Sequence, residues 1–122
     1  MITLCIISIA EYSPEKTIES FSGIGDCCIE FLDDRDFNRK ISTEWKMFMF
    51  ADECLSTGLN AAIPDFLKFY GDVDIWKIYK RKNEGISICP RLFKGHIELK
   101  KDCLMPTLSS YKMDTILDGF IL

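Results

Sequence analysis

Five groups of residues have the types or spacing to do chemistry: the sole histidine His96, the adjacent thiols Cys27 and Cys28, the carboxylates Asp33, Asp34 and Asp36, the glycine pair Gly23 and Gly25, and the basic triplet Lys80, Arg81 and Lys82. A thiol or hydroxyl nucleophile needs a base within hydrogen-bond reach, so any Ser-His-Asp or Cys-His device has to use His96. Nothing in Lys94-Gly-His-Ile-Glu98 matches a known nucleophile motif, and a surface or partly buried strand histidine accounts for it. The carboxylates have the chemistry for Mg²⁺ or for an acid/base pair, yet a polar turn explains them more simply. Gly23-Ile-Gly25 lacks the third glycine of a dinucleotide fingerprint and the Gly-Lys-Ser/Thr of a phosphate loop, so it reads as a turn. No catalytic residue, cofactor or metal site is nominated, and the chain reads as a binding protein without enzymatic activity.

The six cysteines would suggest three bridges in a secreted protein. Ile2 to Ala10 is apolar but has no basic flank, is too short to span a bilayer and runs into a charged turn, so it predicts a buried strand and not a signal or anchor. The expected compartment is the cytoplasm, with no membrane partner and with Cys5, Cys27, Cys28, Cys54, Cys89 and Cys103 as free thiols. Only Cys27 and Cys28 are close, and neighbours on a strand face opposite ways, which argues against structural zinc.

Charge divides along the chain. Residues 1–74 hold 14 acidic and 6 basic side chains, whereas residues 75–122 hold 5 and 9. The triplet Lys80-Arg-Lys82, with Trp76 and Tyr79 nearby, has the makings of a phosphate contact, but a pI near 5.0 lacks the dominant basic field of a nucleic-acid module. An acidic surface suits a basic protein partner, because opposite fields speed encounter and select the partner. Asp26, Glu30, Asp33, Asp34, Asp36, Asp72 and Asp74 are the candidate partner-binding residues.

These groups need a scaffold, and 122 residues suffice for one domain, residues 1–122, with a single core. The expected fold class is α+β: a twisted antiparallel β-sheet packed by one main helix and a C-terminal helix. The strongest signal is a hairpin over 74–93, where Trp76 and Ile78 alternate with Lys77, and Ile86 and Ile88 return after Asn83-Glu-Gly85. Pro90 in its second arm belongs at an edge or bulge. A second hairpin is expected from Thr17–Phe21 and Cys27–Leu32 around the glycine turn. Ser42 or Thr43 would cap the main helix over 44–55, with a strand through Trp45, Met47 and Met49 as the competing reading. Short strands are expected over 59–63 and 96–99, and a loop over 65–74. Met113, Ile116, Leu117, Phe120 and Ile121 fall at helical spacing and predict the terminal helix.

Ser42-Thr-Glu-Trp45, Leu59 to Ile63, Trp76-Lys-Ile-Tyr79, Ile86-Ser-Ile88 and Leu92-Phe93 together resemble one branch of the immunity proteins of bacterial contact-dependent growth inhibition systems. In that branch a helix opening near a Trp precedes a short strand, a Trp-x-x-Tyr strand, a tight turn and a strand ending in an aromatic. The likeness spans residues 42–93; the Cys89-Pro90 step and the first third of the chain depart from it. The resemblance implies a Whirly-like outline, no enzymatic activity, and stoichiometric binding to the C-terminal toxin domain of the same system, commonly a nuclease. A single-stranded nucleic-acid-binding or adaptor module of Whirly-like outline is the alternative.

Overall fold

The computed structural model covers residues 1–122 and has an α+β architecture, with eight elements in chain order. They are β1 (Ile2–Ile7), α1 (Glu15–Glu19), β2 (Cys27–Leu32), β3 (Trp45–Phe50), α2 (Thr57–Phe69), β4 (Ile75–Lys82), β5 (Gly85–Lys94) and β6 (Met113–Ile121). The strands form one mixed sheet in the order β2-β1-β3-β5-β4-β6. β1 lies parallel to both β2 and β3, β5 is antiparallel to β3 and β4, and β6 is parallel to β4. The expectation of an antiparallel sheet therefore holds only around β5.

Each face of the sheet carries its own core. One face gathers Leu4, Met47, Trp76, Ile78, Leu92 and Ile116 beneath Leu59 and Ile63 of α2, with Ile18 of α1 packed alongside. The other gathers Cys5, Ile7, Phe48, Ile75 and Phe93 beneath Phe37, Ile97 and Leu99, which come from the long connections β2–β3 and β5–β6. Helices thus cover one face and irregular chain the other. Strands buried on both sides read as unbroken apolar runs, which is how Ile2–Ile7 and Trp45–Phe50 come by their composition.

The hairpin expected over 74–93 is present as β4 and β5, and the strand expected over Ile2 to Ala10 is present but ends at Ile7. Lys77 pairs with Pro90 where Trp76 pairs with Leu92, so Arg91 is the extra residue of a bulge and the proline borders it. Five expectations are corrected. Residues 45–50 are strand, the competing reading, because both faces of that segment are buried. The segment 59–63 lies inside α2, whose N-cap Ser56 accepts a hydrogen bond from the Leu59 N–H at 3.3 Å and which tolerates Pro64 in its interior. Glu15–Glu19 is a helical turn between parallel β1 and β2, not a hairpin arm. The tail is edge strand β6, not a helix. Two residues of β4 are matched there by five of β6, Lys80 pairing with Ile121 after Ile78 pairs with Ile116, and this irregularity turns both isoleucines into the same core. Gly119 makes the distortion possible: its φ is +106°, and a Cβ would lie 2.5 Å from the Leu59 nitrogen. His96–Leu99 forms no strand, only a Leu99–Pro106 bridge.

β3 and β5 pair only through Trp45–Lys94, Lys46–Phe93 and Met47–Leu92. Beyond Leu92 the outer edge of β5 has no strand partner, and the turn Ala51–Ser56 leads away to join the C-terminus, where Cys54 and Leu122 exchange backbone hydrogen bonds at 3.2 and 2.7 Å.

Candidate functional site

Four of the seven acidic candidates meet at one rim of the sheet. Glu30 lies on edge strand β2, and Asp33, Asp34 and Asp36 lie in the turn that follows it. The Arg39 guanidinium draws Glu30 and Asp34 together: it donates to the Phe31 carbonyl at 2.7 Å and to Asp34 at 3.5 Å, and lies 3.8 Å from Glu30. Asp34 accepts from the Asp36 N–H at 3.2 Å, and Asp33 accepts from the Ser8 hydroxyl at 2.5 Å. Ile29 and Phe31 project from the same edge strand, Phe31 with 45% of its surface exposed. The sequence pattern marks Cys27–Leu32 as a hairpin arm without placing it in the sheet, so it singles out neither residue. Their place on an outermost strand is what exposes them.

Asp26 lies at the other end of β2, about 17 Å along the strand, and Asp72 and Asp74 precede β4, about 19 Å or four strand spacings across the sheet from β2. Asp72 and Asp74 are also matched by cations. Asp72 pairs with Lys112, whose hydrogen bond and charge hold its carboxyl below the ordinary range. Asp74 accepts from the Lys112 N–H at 2.9 Å and sits 3.2 Å from the Lys94 ammonium, and these donors lower it too, the main-chain bond foremost. The seven residues therefore do not form one surface: four share the β2 rim beside exposed Ile29 and Phe31, Asp26 stands alone at the other end of β2, and Asp72 and Asp74 follow exposed Phe69 and Tyr70 but are neutralised by lysines.

Where the β3–β5 ladder stops, a buried ionic node takes its place. Arg91 reaches across to donate to the Phe48 carbonyl at 3.2 Å and grips Glu53 with both arms, at 2.7 and 2.9 Å. Lys80 also binds Glu53, the Phe50 N–H donates to it at 2.7 Å, and the Thr17 hydroxyl donates to its main-chain carbonyl at 2.5 Å. The guanidinium of Arg91 and the more distant one of Arg35 face the Phe50 ring at 5.2 and 5.8 Å. Burial pushes the Glu53 carboxyl upward, but Arg91, Lys80 and the Phe50 N–H outweigh it and hold the group below its ordinary value. With its acceptors occupied, Glu53 ties α1, β3, β4 and β5 together and offers no free base. Lys80 is spent on this node and Arg81 stacks on Phe120 at 4.7 Å, so Lys82 alone of the basic triplet lies outside such contacts.

His96 sits on the loop after β5, its ring 6.4 Å from that of Tyr111. Cys27 and Cys28 lie on β2, three strand spacings or about 14 Å across the sheet, so thiol and imidazole are not brought together. All six cysteines are free, and burial drives the Cys5 thiol up to about 12. Cys27 is shifted upward by the same cause. No group of three or more His, Cys, Asp or Glu is arranged to hold a metal ion, and no helix is long and apolar enough to cross a membrane. No protein-family model matches the chain, and no curated protein matches it.

Proposed function

We propose that this chain is a cytoplasmic immunity protein of the contact-dependent growth inhibition class. It binds the toxin domain of its own system through the β2 rim and acts by occupancy, without catalysis. The observation that carries the reading is the convergence of Glu30, Asp33, Asp34 and Asp36 beside exposed Ile29 and Phe31. An edge strand with apolar side chains on one face, Glu30 on the other and an acidic turn at its end is what a basic, nucleic-acid-cleaving partner would meet, with charge guiding the approach and Phe31 supplying buried area. Nanomolar binding needs about −12 kcal/mol, within reach of a standard-size interface with an aromatic anchor. The segments behind the family resemblance fold as strand, helix, strand and strand, not in the order of the Whirly-like branch, so the reading rests on this surface.

The test is to express the C-terminal segment of the reading frame immediately upstream, with and without this chain, and to follow growth and copurification. Toxicity relieved by a one-to-one complex is the expected result. A harmless segment, or toxicity that the chain neither relieves nor binds, overturns the proposal.

A further inference from the structure

Lys46 is the most costly side chain in the molecule to explain. It projects from β3 into the loop-covered core with 3% of its surface exposed, and its ammonium donates to the Ile97 carbonyl at 2.7 Å. It belongs to none of the ion pairs in the structure. Burying an ammonium costs several kcal/mol unless its donors and charge are met, and one neutral carbonyl meets one donor of three. The contrast with Glu53 is direct, since there every buried charge faces an opposite one.

Lys46 lines a cleft of about 410 Å³ between the β2–β3 and β5–β6 connections. Around it the competing groups are already committed. The Asn38 amide is spent on Leu99, donating to its carbonyl and accepting from its N–H at 2.7 and 2.8 Å, and Arg39 is turned toward the acidic rim. That leaves Lys40 and His96 as the other basic side chains of the lining, with Glu98, exposed, as its one carboxylate.

We propose that this cleft binds a small phosphate-type dianion, either free phosphate or a low-molecular-weight phosphate monoester. Its oxygens would accept the two spare Lys46 donors, and Lys40 would balance the second charge at the mouth. A tetrahedral dianion fits better than a monocarboxylate because it presents several acceptors and twice the charge to two separated cations. The cleft borders the β2 rim at Arg39, but the proposal does not rest on the toxin-binding reading.

The experiment is titration of the purified chain at constant ionic strength with inorganic phosphate, with phosphoserine and with acetate. Binding is read by calorimetry and by the side-chain ammonium resonance of Lys46. Saturable binding of phosphate or phosphoserine that shifts this resonance, with no response to acetate, is expected, and the tighter of the two titrants identifies the physiological form. K46M is expected to keep the fold, since methionine fills the same space, and to weaken binding about tenfold or more. K40A, altered at an exposed position, is expected to weaken it less. No saturable binding, an equal response to acetate, or undiminished binding by K46M would each overturn the proposal.

Discussion

Glu53 is 1% exposed, and such a carboxylate stays ionised only because cations meet it in the interior. Replacing it with glutamine leaves the Arg91 guanidinium buried without a counter-charge, and E53Q is expected to lose about 3–5 kcal/mol in urea unfolding. The pH dependence has a definite sign. Because the folded carboxyl titrates below its ordinary 4.5, its contribution is complete above that value and disappears as pH falls through the lower folded one. Wild type should therefore lose stability on the acid side more steeply than E53Q, a difference readable from denaturation midpoints at a series of pH values. Cys5 makes a second residue-level case. Its thiol is buried and driven up to about 12, whereas Cys28 and Cys103 are exposed, so a thiol reagent at pH 8 should modify those two and spare Cys5 until the protein unfolds. Peptide mapping after brief labelling checks this, and early modification of Cys5 would contradict the packing described.

At the scale of elements, the hairpin and the first strand were legible because turn residues and apolar runs named them without ambiguity. β3 was not, because burial on both faces erases the two-residue alternation and leaves a run that fits a helix equally well. Pro64 drew attention away from α2, although Leu59, Ile63 and Phe66 keep helical spacing behind the Ser56 cap. In β6 the apparent helical stripe comes from an irregular strand, and Leu117, 70% exposed, belongs to no stripe at all. The candidate site was half legible: composition marked the carboxylates, but only the strand order shows that Glu30 and Asp33 share a rim while Asp72 and Asp74 stand at the far end. Connections matter as much as strands. Gly95 donates to the Glu44 carbonyl at 2.6 Å, and a Cβ there would lie 2.1 Å from the Thr43 carbonyl oxygen. G95A is accordingly expected to cost about 1–3 kcal/mol by thermal or urea unfolding, through displacement of the chain entering β3.

Across the whole molecule, the acidic first half and basic second half of the chain are partly interleaved by folding, since Lys94 and Lys112 meet Asp74 and Asp72 while Arg39 alone ties Glu30 and Asp34. The β2 rim keeps more of its negative field than the opposite end does. Reversing it with D33K/D34K should slow association with the toxin domain about tenfold at low ionic strength and flatten the salt dependence of the rate. Unchanged stopped-flow kinetics would remove this rim from the interface. The short β3–β5 ladder has a different outcome for the protein as a material. Gly85 to Pro90 presents an unpartnered strand edge with Ile86 and Ile88 exposed, the pattern on which other chains stack and aggregate. Pro90, with no N–H to offer, interrupts that template at its inner end, and charged Lys82 and Glu84 flank its tip. The same bulge that lets Arg91 reach Glu53 thus puts a proline where edge-to-edge growth would otherwise continue, so that solubility at high concentration depends on it.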